Sequence, residues 1–366
     1  MKIGIITFHR PINYGAILQA VALPQKITTM GGKAEIIDYR NDFQEKTIKN
    51  SNYRTAVGIK NKIKALLFSK INNTKKIKFQ NFLKNNVNLS EKIYNKENIN
   101  EVNNIYDLFI SGSDQVWNLK LTNNDYNYFL KFVKDDNKKV SYASSFGYSN
   151  IPEEYRENSI KYLNKYKIIT VREKKGQQII ENIVKRNATT VLDPTLLLNK
   201  EEWMKLAKPP TFKMPNKYIL LYLVSPTKED FKIAKYISKK MKMKVILINY
   251  NMKYIFGMKN CFDLGPEEFL WLFNNATYVV TNSFHGTAFS INFNKDFCVR
   301  LSKKSNNGNS RIENIINLMG LKDRYIDLEN LDKQGFIDWK KVNKKLEEER
   351  KRCLDIIYNY INVEGK

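Results

Sequence analysis

Short apolar runs and longer segments of helical periodicity succeed one another along this chain. Lys2 to Phe8 is a β-rich run, and Ala16 to Met30 carries apolar residues at helical spacing. Gly31-Gly32 ends that helix, and Ala34 to Tyr39 forms a second strand. Pro24 is expected to kink or shorten the helix. Further on, Asp107 to Ser111 and Val140 to Ala143 have the pattern of buried strands, a helix is expected near 153–165, and Ile168 to Val171 is another strand. Around Pro209 to Pro215 the composition turns to Pro, Lys and Thr, a linker signature. The alternation then restarts with strand 218–224, helix 227–241, strand 244–249, helix 266–275 and strand 277–281. Residues 282–293 form a turn and a helix, and Phe297 to Leu301 a strand. Strands alternating with helices twice over predict an α/β protein of two Rossmann-like domains facing a cleft. Residues 1–208 make the first domain, 216–335 the second, and 336–366 hold a final amphipathic helix, about 338–362, expected to cross back onto the first domain.

Composition narrows the class. The 366 residues are ample for two cores, and no run of 18 or more apolar residues is present. MKIGIITF lacks a signal-peptide layout, so a cytoplasmic protein is expected. The 3 cysteines, Cys261, Cys298 and Cys353, form neither a disulfide framework nor a CxxC metal site. With only His9 and His285 as imidazoles, no protein-bound metal is expected. The formal charge of +25 attracts anions. No helix-turn-helix, zinc-finger or RNP motif accompanies it, so nucleic acid is not an expected partner. Residues 46–86, an excursion within the first domain, carry many lysines and no acid, with Ile59, Ile63, Leu66, Leu67 and Ile71 at helical spacing. That stretch is either a helix packed on its domain or a basic helix resting on an anionic membrane surface, the inner face of the cell membrane.

The chain lacks a P-loop, a GxGxxG fingerprint and a GxSxG elbow. What remains are polar residues at strand ends, where open parallel sheets bind ligands. The sharpest is TNSFHGTA, residues 281–288. Ser283 is placed to cap the following helix, the N–H groups of Gly286 and Thr287 would face an anion, and Asn282 and His285 stand beside it. An imidazole there can donate or accept a proton near neutral pH. The competing reading is a buried histidine that merely hydrogen-bonds. Arg172, ending the strand in TVRE, can present a fork to a carboxylate or phosphate, or can pair with Glu173. Arg300 and Arg311 are weaker candidates of that kind. GSDQVWN (112–118) offers Ser113, Asp114, Gln115 and Asn118 to sugar hydroxyls, with Trp117 as a stacking face, or is a capped turn. Asn13, Tyr14 and Gly15 either line the acceptor side or cap the first helix. His9 fits a loop residue better than a second catalyst.

Taken in order, KIGIITF, NYGAILQA, DLFISGSDQVWN, YASSFG, TVREKKG, VLDPTLLL, GPEEFLWL and TNSFHGTAFSINF resemble the polysaccharide pyruvyl transferase family. The resemblance implies a GT-B-like fold and transfer of the enolpyruvyl or pyruvyl unit of phosphoenolpyruvate to hydroxyls of a cell-surface glycan or its lipid-linked precursor, closing a ketal. It implies no redox cofactor and no metal. His285 would be the general acid, and Arg172 with the helix N-terminus would hold the donor. Many relatives carry an arginine two residues before the histidine, where this chain has Ser283. The alternative within the same fold is a glycosyltransferase using a nucleotide sugar.

Overall fold

The computed structural model describes residues 1–50, 59–250, 253–301, 306–327, 329–330 and 334–362. The chain forms two compact units. The first comprises Met1–Asn52, Leu83–Leu197 and Glu348–Lys366, and the second Tyr53–Phe82 and Leu198–Glu347.

In the first unit, strands β1 (Lys2–Ile6), β2 (Lys33–Ile36), β3 (Leu108–Ser111) and β4 (Lys139–Ser141) form a parallel sheet of order β2-β1-β3-β4. Two short parallel strands, β5 (Thr170–Val171) and β6 (Thr189–Thr190), extend it through bridges such as Val140 to Ile168. Ile3, Ile5 and Ile6 are fully buried, as expected of a parallel strand covered on both faces. The strand order reverses between β1 and β3, so the loops after those strands lie at a topological switch point. The helix Tyr14–Thr29 continues through Pro24 and is not shortened by it. Proline removes one helical hydrogen bond, but Val21, Leu23 and Ile27 on either side of it are buried, and that packing carries the helix on.

The second unit has a five-stranded parallel sheet of order β11-β10-β7-β8-β9, with β7 (Tyr218–Tyr222), β8 (Lys244–Ile248), β9 (Lys259–Cys261), β10 (Tyr278–Thr281) and β11 (Asp296–Val299). The all-buried run YILLY of β7 sits at its centre, and the order reverses between β7 and β10. The helix Lys228–Met241 begins at a capping box between Thr227 and Asp230.

Both expected boundaries shift. The Pro-rich stretch 209–215 lies inside the second unit, whose first residues are already tied down. Trp203 is buried against Phe289, the Asn292 side chain donates to the Leu198 carbonyl, and the Lys208 N–H donates to Glu267. The basic helix Ile59–Asn86, expected within the first domain, contributes its residues up to Phe82 to the second unit. There Phe79 and Phe82 are buried and Lys78 pairs with Glu268 at 2.5 Å. The side chains of Ile59, Ile63, Leu66 and Leu67 lie outside the described residues. The final helix, Trp339–Ile361, belongs to the first unit from Glu348 on. The Tyr360 hydroxyl donates to the Ser141 carbonyl and the Arg350 guanidinium to the Leu196 carbonyl. Among the described residues no helix is long and apolar enough to cross a membrane.

Candidate functional site

The end of β10 is built around two hydroxyls. Thr281 Oγ1 donates to the Tyr222 carbonyl of the neighbouring strand at 2.7 Å and accepts the Ser283 N–H at 3.1 Å. Ser283 then caps the helix Phe284–Asn292, accepting the Gly286 N–H on its hydroxyl and the Thr287 N–H on its carbonyl. Gly286 has no room for a side chain, since a Cβ there would lie 2.1 Å from the Thr281 hydroxyl oxygen and 2.9 Å from the Tyr222 ring. The helix therefore sits on the sheet at glycine distance, with His285 on its first turn at the carboxyl end of the central strands. Only 8% of His285 is exposed, and its ring packs edge-on against Phe284.

This geometry corrects the expected anion cradle. The N–H groups of Gly286 and Thr287 are spent on the cap and do not face outward. The Asn282 side chain accepts the Val224 N–H at 2.7 Å and pins the loop after β7. Arg300 is locked by Thr227, Asp230 and Glu229 at the start of the helix Lys228–Met241. Arg311 lies part-buried on the helix Asn306–Met319, which packs against the His285 helix.

One residue beside this site carries no local signal in the sequence. Lys75 is 6% exposed, and its ammonium lies 4.3 Å from the centre of the Tyr250 ring. The Tyr250 hydroxyl meets that of Tyr222 at 3.1 Å, and Tyr222 underlies Gly286. Burial pulls the Lys75 ammonium down to about 8, against a rise from nearby Asp263.

In the first unit, the loop Gly112–Asn118 follows β3 at the switch point. Asp114 adopts a left-handed φ of 72°, which is strained for a non-glycine residue. Arg172 is almost wholly buried and faces three carboxylates: Asp193 at 2.9 Å, Asp114 at 3.7 Å and Glu173 at 3.8 Å. Burial works against its charge, and Asp193, Asp114 and Glu173 more than offset it, so the guanidinium is held protonated above its ordinary range. The expected donor-holding role of Arg172 is thereby corrected, because its fork is taken up by the protein's own acids. Ser113 donates to Asp193 at 2.8 Å in the same buried cluster.

The expected acceptor set also divides. Trp117 is 0% exposed, stacked on Phe129 and donating to the Ser111 hydroxyl, so it is a core residue and not a sugar platform. Tyr14 and Gly15 are buried within the first helix, and Ser113 is interior. Asn13 is exposed but caps that helix by accepting the Ala16 N–H. Asp114 and Gln115 keep accessible surface, and Asn118 donates to the Gln115 side chain at 3.2 Å, its own side-chain oxygen having no partner. His9 is buried, with Nδ1 3.1 Å from the Thr7 carbonyl and Nε2 3.1 Å from Asp38. Both ring nitrogens are committed to acceptors, which suits a structural role. Hydrogen bonds from His9 and Arg40 overcome burial and hold the Asp38 carboxyl well below the usual range. No group of three His, Cys, Asp or Glu that could hold a metal ion occurs among the described residues.

A family model described as "Polysaccharide pyruvyl transferase" matches residues 13–300. This chain belongs to the polysaccharide pyruvyl transferase family. It is accordingly an enzyme of that family, and the matched span takes in the loop after β3, the Arg172 cluster and the His285 helix, along with the basic stretch 46–86. No curated protein matches the chain. Among solved structures it is similar to the S. aureus MnaA–UDP complex, at 10% identity and a TM-score of 0.51, covering 100% of this chain and 98% of that one. A UDP-N-acetylglucosamine 2-epimerase is similar at 11% identity and a TM-score of 0.51, with 100% and 97% covered. The putative UDP-N-acetylglucosamine 2-epimerase from Listeria monocytogenes gives 12% identity and a TM-score of 0.50, with 100% and 92% covered. These likenesses establish the fold of this pyruvyl transferase family member, a GT-B-type pairing of Rossmann-like units, and leave its chemistry to the site.

Proposed function

We propose that this enzyme transfers the pyruvyl unit of phosphoenolpyruvate to two hydroxyls of a cell-surface polysaccharide sugar or its lipid-linked precursor, with His285 as general acid. The observation that carries the reading is His285 itself, standing on the first turn of a helix at the carboxyl end of the central strands, in a chain whose family transfers pyruvyl groups. In the proposed reaction His285 protonates the methylene carbon, giving an oxocarbenium-like centre at the neighbouring carbon. A sugar hydroxyl adds there, the bond to phosphate breaks, and a second hydroxyl closes the ketal. Of the two hydroxyl protons released, one replaces that delivered to the methyl group and the other leaves with phosphate. The balance needs neither a redox cofactor nor a metal.

For the donor's anionic groups, the positive N-terminal end of the helix Phe284–Asn292 and the cations Arg311 and Lys75 are the proposed partners in place of Arg172. Asp114 and Gln115, which keep accessible surface, are the proposed acceptor contacts. The test is phosphate release from phosphoenolpyruvate with a panel of glycosides, alongside a thermal-shift screen with phosphoenolpyruvate, phosphate and nucleotide sugars. Selective stabilisation by phosphoenolpyruvate is expected, and His285→Ala should abolish phosphate release with its unfolding midpoint unchanged. Undiminished turnover in that variant removes the acid role. Stabilisation by one nucleotide sugar alone would replace pyruvyl transfer with glycosyl transfer.

A further inference from the structure

We propose that the loop Lys253–Lys259 of the second unit docks on the surface of an anionic phospholipid bilayer. The inference is independent of the transferred group. Side chains in this loop sort by direction. Met258 is buried in the core behind β7 and β8 and Ile255 packs against it, whereas Tyr254 and Phe256 point out, 66% and 84% exposed. Their outward stance is built in. The Asn260 amide donates to the carbonyls of Ile255 and Met258 at 2.8 and 2.9 Å, and its oxygen accepts the Ile255 N–H at 2.9 Å. Asn249, itself buried, donates to the Lys253 carbonyl at 2.8 Å. With the backbone satisfied by two asparagines, nothing in the loop's own architecture calls for an aromatic ring at positions 254 and 256. A wholly water-exposed phenylalanine gains only when apolar surface is offered to it.

The surroundings specify what offers it. Gly257, beside Phe256 and at a left-handed φ of 81°, lines a surface cavity of about 450 Å³ together with Lys242, Lys244 and Lys259. That lining holds three lysines and no carboxylate, and Lys253 adds a further exposed cation on the loop. Exposed aromatic rings next to a lysine-lined hollow match the two-part attraction of a peripheral protein to a bilayer: rings into the headgroup boundary, ammonium groups on anionic lipid phosphates. Single-stranded nucleic acid would also meet rings and cations. The bilayer is favoured because Phe256, the more exposed of the two outward rings, carries no polar atom and gains most from an apolar layer.

The test is flotation of the full-length protein with vesicles of phosphatidylcholine alone or of an equimolar mixture with phosphatidylglycerol. A dT oligonucleotide serves as the competing probe. Binding to the anionic vesicles only is expected, and it should weaken as salt rises from about 0.1 to about 0.5 M, where the Debye length roughly halves. Lys242→Gln/Lys244→Gln/Lys259→Gln should lower partitioning by roughly 100-fold, about fivefold per lysine. Tyr254→Ser/Phe256→Ser should lower it by roughly tenfold or more. All these side chains are exposed, and Lys259 also rests its ammonium 4.6 Å from the Phe212 ring, so both variants should melt within a few degrees of the wild type. Wild-type-like partitioning of both variants, or no vesicle binding by the wild type, overturns the proposal. Oligonucleotide binding that falls in both variants while vesicles are ignored would assign the face to nucleic acid instead.

Discussion

Replacing Lys75 by methionine should stabilise the protein at neutral pH, although it deletes a cation resting on an aromatic ring. Methionine keeps the length of the stem and removes the charge. In the folded protein the ammonium is buried and its proton affinity falls from the ordinary 10.5 to about 8. At about 1.4 kcal/mol per decade, the charged form carries a penalty of roughly 3 kcal/mol relative to the unfolded chain. Attraction to the Tyr250 ring is worth about 2 kcal/mol for a desolvated pair, less than the roughly 3 kcal/mol penalty, so desolvation wins. The sign follows from proton counting. Below pH 8 lysine is charged in both states and the penalty is complete. Between 8 and 10.5 the unfolded chain binds more protons than the folded one, so wild-type stability climbs towards that of the variant. Chemical denaturation of both proteins at pH 7 and near pH 10, followed by fluorescence, gives the difference directly, because the other lysines cancel. A Lys75→Met gain of roughly 1–3 kcal/mol at pH 7 that shrinks at pH 10 is expected. A variant less stable than wild type at pH 7, or a difference that ignores pH, refutes the reasoning. Weakened phosphoenolpyruvate binding in the stabilised variant would mark Lys75 as a residue kept for the donor at a cost to the fold.

Three further outcomes follow from the same contacts. Arg172→Met should cost about 3–5 kcal/mol in denaturant, since Asp193, Asp114 and Glu173 are left facing one another with no cation between them, and a loss under about 1 kcal/mol would contradict the cluster. Gly286→Ala should cost roughly 1–3 kcal/mol, because the new methyl group falls 2.1 Å from the Thr281 oxygen, and Thr281→Ala in the same chain should recover part of it in a double-mutant cycle. Burial pushes the thiols of Cys261 and Cys298 up to about 12 and raises that of Cys353. Labelling of the native protein with a disulfide reagent at pH 8 should therefore proceed no faster than unfolding, and a rapidly labelled thiol would show an open site that the structure lacks.

Which parts of this protein were legible in its sequence depends on how far apart the interacting groups stand. Parallel strands buried on both faces announce themselves as unbroken apolar runs, so YILLY and KIGII needed no partner to be recognised. β9 escaped because Lys259-Asn260-Cys261 is an edge strand with two polar residues out of three, defined by its pairing to β8 and not by its own pattern. The helix Asn306–Met319 opens with NNGNSR, which resembles a loop, yet Ile312, Ile315, Ile316 and Met319 recur at helical spacing and carried the missed signal. The Pro-rich stretch near 209–215 does mark irregular chain. It is not a boundary, because Trp203 had already been captured by Phe289, 86 positions later.

The site obeys the same rule more severely. The cap at Ser283 and the place of His285 are local facts, settled by a strand end followed by a helix, and they were read without the fold. Roles that depend on a distant partner were not. Arg172 at a strand end looks identical whether it awaits a substrate phosphate or already holds Asp193, 21 positions away. Trp117 looks like a platform until Phe129, Phe146 and Tyr166 close around it. Lys75, one lysine in a stretch full of them, acquires its character only from Tyr250, 175 positions on. The error has a consistent direction. Local reading assigns strand-end polar residues to ligands, and the folded protein satisfies many of them internally, because a buried charge without a partner costs more than most ligands return. A strand-end residue that keeps accessible surface after folding, as Asp114 does at its strained φ, is therefore a stronger candidate for acceptor contact than the buried groups around it.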